Sequence, residues 1–199
     1  MRRIVFCFGA LAIAAAQFVL LSASALAQSE QDRRDCFSID SKNYEDPRVF
    51  VDGLAACDRL DRSGNFRGRG LASHVKQRAY WLHRKGELNL ALQDYAWAIE
   101  LNPDDVENYD FRGDVYVEQG QYQRAIDDYN TSIRLRPGYA PAYYARGLAY
   151  EKAGRLDDAV ASYRQAARLS PPADGDSSTT RLYEWGINSA RKRLEELGR

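Results

Sequence analysis

The sequence predicts an all-α chain, a solenoid of stacked helical hairpins closed by a C-terminal capping helix. Gly86, Gly120 and Gly154 recur at a fixed 34-residue step. Tyr95, Tyr129 and Tyr163 recur at the same step, as do Pro103, Pro137 and Pro171. A period of that length marks a repeat array, because one helix pair cannot bury its apolar face alone and stacking completes the core. Such arrays offer a surface to a partner, so the search for function moves from pockets to faces.

The array has an address in front of it. Arg2 and Arg3 precede an apolar run from Ile4 to Leu21, and Ala25-Leu26-Ala27 gives a small-x-small cleavage site before Gln28. This order reads as a secretory signal peptide over 1–27, cleaved after Ala27, with a retained membrane anchor as the alternative. Export places the protein in the periplasm or outside the cell. Cys7 lies inside the apolar run without the context of a lipidation site.

Without the two leader arginines the mature chain carries 26 basic and 28 acidic side chains. That balance argues against nucleic acid as a partner, which calls for a basic face. No second apolar run of spanning length follows, so no membrane insertion of the mature chain is expected. The mature chain keeps Cys36 and Cys57, and an even count in an exported chain suggests a disulfide. Closing a loop of that size contributes on the order of 3 kcal/mol in the chain-entropy model. A reactive thiol pair is the sharper alternative, but no neighbouring pattern marks a depressed pKa.

Residues 28–71 are expected to form an N-terminal cap, with an irregular segment over 28–46, a half-repeat helix over Arg48–Leu60 and a glycine-rich loop over 63–70. The loop lacks the spacing of a phosphate cradle and reads as a linker. Three units follow, at 72–105, 106–139 and 140–173. In each, the first amphipathic stretch runs up to the glycine of the Gly86 column, where a left-handed residue ends a helix. The second stretch stops near the proline column. Small residues mark where helices cross: Ala79, Gly113 and Gly147; Ala91, Ala125 and Ala159; Ala98, Ser132 and Ala166. Large residues fill the layers between them, among them Val75, Tyr109 and Tyr143, and Leu82, Tyr116 and Tyr150. Residues 174–199 hold a break and then a last helix from Thr179 to about Leu197, with Leu182, Trp185, Ile187, Leu194 and Leu197 as its apolar side.

At these columns the chain resembles the tetratricopeptide repeat (TPR) family over residues 72–173, and the cysteine-bearing front resembles a group of exported bacterial members. Unit one departs from the pattern at Val75 and Ala79. The resemblance implies a right-handed superhelix whose concave face is lined by the first helix of each pair. It places Lys76, Tyr80, His83 and Arg84 of unit one on that face, with Ser73. It adds Asp110, Asp114, Val117 and Glu118 of unit two, with Glu107, and Tyr144, Leu148, Glu151 and Lys152 of unit three, with Pro141. Charge then runs from basic through acidic to mixed, which suits an extended peptide with basic residues mid-segment. The carboxylate clamp of some relatives is not carried over, because Tyr80, Phe111 and Ala145 stand where its polar residues belong.

Arg78, Arg112 and Arg146 occupy a half-buried column where the family often has an aliphatic residue. A charge there needs a partner, so Arg112 and Arg146 are each expected to reach an Asp of the same or the preceding unit, with Asp94 and Asp128 as candidates. No catalytic residues are recognised, since no nucleophile stands at recognisable spacing from a base. No cofactor is implied. His74 and His83 do not share a turn, and no metal site is expected. The functional expectation is a non-catalytic periplasmic adaptor that binds a protein or peptide segment in its groove. The alternatives are a structural component of an envelope complex or an accessory subunit of an envelope enzyme.

Overall fold

The computed structural model describes residues 28, 30–36, 55–60, 68–173 and 175–199. The leader, and the part of the expected half-repeat helix before residue 55, lie outside the described residues. The chain divides into two compact units, Met1–Phe66 and Arg67–Arg199.

In the first unit, residues 30–36 and 55–60 are helical, so the segment expected to be irregular contains a helix. Cys36 and Cys57 form a disulfide, with Cα atoms 4.9 Å apart. One helical turn from each cysteine contributes a second tie. Arg59 donates from Nε and Nη2 to Asp32 Oδ1 at 2.9 and 2.7 Å, and Gln28 donates to the same oxygen at 3.0 Å. The guanidinium holds the Asp32 carboxyl below its ordinary pKa.

The second unit holds three hairpins and a last helix. Helix α1 (Gly68–Arg84) pairs with α2 (Leu88–Leu101), α3 (Val106–Glu118) with α4 (Tyr122–Leu135), and α5 (Ala140–Lys152) with α6 (Leu156–Arg168). Helix α7 (Ser177–Glu196) follows. Helix α1 begins inside the stretch expected to be a loop, because Gly68-Arg69-Gly70 is recruited as its first turn. No strand occurs among the described residues.

The hairpin turns are made alike. Gly86, Gly120 and Gly154 have φ of 81°, 73° and 76°, the left-handed region that side chains disfavour. Each glycine lets the next backbone N–H reach back across the helix end: Glu87 to Leu82 at 2.9 Å, Gln121 to Tyr116 at 2.8 Å, Arg155 to Tyr150 at 2.8 Å. These are Schellman closures, and they satisfy carbonyls that the helix end would otherwise leave open.

Within a hairpin the small column meets the tyrosine column. A Cβ added to Gly113 would lie 2.7 Å from Tyr129 Cε1, and one at Gly147 would overlap the Tyr163 ring in the same way. Ala91, Ala125 and Ala159 are fully buried, as are Ala98, Ser132 and Ala166. Between units, the Tyr109 hydroxyl donates to the Pro103 carbonyl at 3.1 Å and the Tyr143 hydroxyl to the Pro137 carbonyl at 2.9 Å. The proline ends one unit and its carbonyl anchors the next.

Helix α7 starts at a true cap: the Asp176 carboxylate accepts from the Thr179 N–H at 2.7 Å. Its buried face is Tyr183, Gly186, Ile187 and Ala190. Leu182 and Trp185, expected on the apolar side, are 43% and 53% exposed. Gly186 decides the phase. A Cβ there would sit 2.8 Å from Pro141 N and 3.0 Å from the Ala140 carbonyl carbon, so α7 crosses the start of α5 backbone to backbone. Close approach selects the face with the small residues, and the larger apolar ones turn outward.

Candidate functional site

The tyrosine column forms the floor of the expected groove. Tyr95, Tyr129 and Tyr163 stand on the second helices and are at most 1% exposed. The Tyr129 hydroxyl donates to Asp114 Oδ1 at 2.7 Å and the Tyr163 hydroxyl to Glu151 Oε2 at 2.9 Å. The Tyr95 hydroxyl is buried without a hydrogen-bond partner. These floor tyrosines were not among the expected groove residues, although their strict spacing was the available signal.

Polar side chains on the first helices tie units one and two together. Lys76 reaches Asp105 Oδ2 at 2.9 Å and Glu107 Oε2 at 2.7 Å. His83 Nε2 lies 2.9 Å from Glu118 Oε1. The basic start and acidic middle of the expected gradient therefore face and partly neutralise each other. The two carboxylates raise the Lys76 pKa above its ordinary value against the effect of burial.

Asp110 and Asp114 lie one turn apart on α3 and differ in setting. Asp110 is 9% exposed, and its Oδ1 has no hydrogen-bond partner. Burial pushes its pKa up to about 8, opposed by the neighbouring Ser132 and Tyr139 hydroxyls and reinforced by Asp114. Asp114 is exposed, and its Oδ1 accepts from the Tyr129 hydroxyl. Loss of water there raises its pKa, against the Tyr129 hydrogen bond and the nearby His83. Beside Asp114, the Phe111 ring lies 6.1 Å from both the Tyr80 and the Tyr95 ring. Arg84 is exposed at the end of α1, and Val117 is half-buried against the core under α3.

Unit three is different because α7 lies on it. Trp185 meets the Tyr144 ring edge-on at 5.4 Å. Tyr144 and Leu148 pack with Ala190, Leu194 and Leu197. Arg193 forks onto both oxygens of Glu151, which holds that carboxyl below its ordinary pKa. Lys152 remains exposed. Tyr144, Leu148 and Glu151 of unit three thus meet the chain's own last helix, and Lys76 and His83 of unit one meet Glu107 and Glu118 of unit two.

Of the two arginines expected to reach an Asp, Arg112 does and Arg146 does not, and Arg78 makes the same kind of pair as Arg112. Arg78 donates to Asp94 Oδ2 and Oδ1 at 2.7 and 2.8 Å, and Arg112 to Asp128 Oδ2 and Oδ1 at 2.8 and 2.7 Å. Arg146 does not bond an Asp. It donates to Ser162 at 3.2 Å, Asn130 at 2.8 Å and Gln165 at 2.8 Å. The reason is a substitution in the column: Ser162 stands where Asp94 and Asp128 stand in the earlier units. With neutral acceptors only, burial lowers the Arg146 pKa.

Profiles of the TPR repeat and of the tetratricopeptide repeat match residues 113–154 and 140–173. Three hairpins at the same step, with their glycine, tyrosine and proline columns, complete the pattern. The array is a tetratricopeptide repeat array. The MamA protein is 27% identical over 62% of this chain and 66% of its own, with a TM-score of 0.55. A tetratricopeptide repeat protein from Parabacteroides merdae is 19% identical, with a TM-score of 0.60 over 85% of this chain and 62% of its own. The Arabidopsis OM64 TPR domain is 22% identical over 64% of this chain and 99% of its own, with a TM-score of 0.51. The chain thus spans about two thirds of the first two of these TPR relatives. No curated protein matches it in sequence.

Proposed function

We propose that this TPR chain is an exported, non-catalytic adaptor that holds a segment of a partner polypeptide in the groove of units one and two. The observation that carries this reading is the uneven use of the inner face. Asp114 is exposed beside the half-buried Tyr80 and Phe111 rings, while its counterpart in unit three, Leu148, is half-buried in a cluster with residues of α7. An accessible aromatic and acidic face on a rigid helical scaffold suits an extended guest. The N-terminal leader pattern and the Cys36–Cys57 disulfide support export to an oxidising compartment. Among the described residues no helix is long and apolar enough to cross a membrane.

The test is a crosslinking pull-down with wild-type protein and the Asp114→Lys/Glu118→Lys pair, after both show the same thermal midpoint. Partners captured by wild type and lost with the pair support the groove. An unchanged set of partners sinks it. A second reading has its own observation: Leu182 and Trp185 are exposed on the outer side of α7. Assembly through that side is expected to be lost in Leu182→Ser/Trp185→Ser and kept in the groove pair.

A further inference from the structure

The tyrosine column leaves one hydroxyl without a partner, and the sequence explains why. Fifteen residues before each floor tyrosine stand Tyr80, Asp114 and Leu148. Asp114 supplies the acceptor for Tyr129. The matching place in unit one holds a phenol, and Tyr95 goes unsatisfied while 0% exposed. A buried hydroxyl with no partner is costly. The Tyr95 ring lies 6.1 Å from that of Phe111, and the Phe111 ring lies 6.1 Å from that of Tyr80, so the unsatisfied phenol belongs to the same aromatic group as two residues of the expected groove face or its border.

The surroundings complete a recognisable chemistry. Tyr80 and Phe111 are half-buried, with rings 6.1 Å apart and tilted by 57°. The Tyr95 ring supports Phe111 from below at 6.1 Å. Asp114 uses Oδ1 for Tyr129. Lys76 is engaged with Asp105 and Glu107, and His83 Nε2 is engaged with Glu118. Aromatic faces beside a carboxylate and an unused hydroxyl oxygen match a cation that carries N–H donors.

We propose that Tyr80, Phe111, Asp114 and the Tyr95 hydroxyl form a subsite for a lysine or arginine side chain of the bound polypeptide. The subsite rests on the groove-binding reading and specifies it. The cationic head donates to Asp114 and, as the Tyr80 and Phe111 rings part around its stem, to the Tyr95 oxygen, which is buried in the free protein. The subsite exists only between units one and two, because Leu148 replaces the carboxylate in unit three.

The experiment is an NMR titration of isotope-labelled protein with two acetylated pentapeptide amides, alanine on both sides of a central arginine or of its neutral isostere citrulline. The arginine peptide is expected to shift resonances of α1 and α3 and to bind about tenfold more tightly than the citrulline peptide. Asp114→Asn removes that preference. Tyr95→Phe weakens the arginine peptide about threefold and leaves the thermal midpoint equal or higher, since the hydroxyl has no partner in the free protein. Equal binding of both peptides, binding of neither, or a preference that survives Asp114→Asn overturns the subsite. If the pull-down loses partners with the groove pair while the peptides do not discriminate, only the subsite falls and the groove reading stands.

Discussion

Units two and three share one repeat pattern and put it to different use. In unit two the buried arginine finds a carboxylate, and the inner face stays open around Asp114. In unit three the arginine finds only neutral acceptors, and the inner face is packed under α7. The backbone is the same, and two side chains account for the difference. Ser162 replaces the acid of the second helix, and Leu148 replaces the acid of the groove. The apolar Leu148 packs in a cluster with residues of α7, and Glu151 one turn on is met by Arg193 of the same helix. The repeat pattern therefore fixes where helices go, and the positions free to vary decide which face is left for a partner.

The sharpest way to break the comparison is at the small column, which both units need. Gly147→Ala sets a methyl into the Tyr163 ring, and overpacking of this kind is expected to cost about 2 kcal/mol. Chemical denaturation measures it. Gly113→Ala is expected to behave alike against Tyr129. A loss well below 1 kcal/mol at both sites would mean that the helices do not cross there.

The arginine column sharpens the contrast. Asp128→Ala strands the half-buried Arg112 and is expected to cost about 2 kcal/mol, a figure reduced for partial exposure. Ser162→Ala is expected to cost under about 1 kcal/mol, because it removes one neutral acceptor among three. Ser162→Asp recreates the unit-two pair and is expected to stabilise by up to about 1 kcal/mol. Equal losses for Asp128→Ala and Ser162→Ala would erase the distinction.

A pH series separates the acids of the two units. An unfolded Asp titrates near about 4, whereas folded Asp110 titrates at about 8. Between those values the folded state binds more protons than the unfolded one, so the Asp110 contribution to stability falls as pH rises from about 4 to about 8 and then levels. Asp114 is shifted in the same direction. Glu151 is lowered, so its contribution is present above the ordinary Glu pKa and is lost as pH falls through its folded value. Asp110→Asn is expected to flatten the neutral-range slope and Glu151→Gln to leave it. Thermal midpoints from pH 5 to pH 9 decide, and a slope left undiminished by Asp110→Asn contradicts the assignment.

The smallest effect lies at the floor. Tyr129→Phe removes a hydrogen bond to a carboxylate and is expected to cost about 1 kcal/mol. Tyr95→Phe removes a hydroxyl with no partner and is expected to cost nothing. Equal losses would mean that Tyr95 is bonded after all.

Much of this was legible in the residues. The hairpin boundaries followed from glycines that only a left-handed turn explains, and the crossing points from columns of small side chains. The Arg78 and Arg112 pairs followed from the need of a half-buried charge. Other features needed coordinates. The Arg146 expectation failed because Asp128 of the preceding unit is held by Arg112 and Ser162 stands at the acid's place in its own unit. The phase of α7 was set by the close approach of Gly186 to Pro141, and counting apolar residues favoured Leu182 and Trp185 instead. The pairs Lys76–Glu107 and His83–Glu118 join residues about one repeat apart, and a unit-by-unit reading of charge could not see them.

Thiol labelling at equivalent inner positions tests the central contrast most directly. Asp114→Cys and Leu148→Cys, each with the native disulfide intact, would be modified with a bulky maleimide and followed by mass spectrometry. The account predicts rapid labelling at 114 and slow labelling at 148, where α7 stands in the way. Equal rates, or faster labelling at 148, would contradict it.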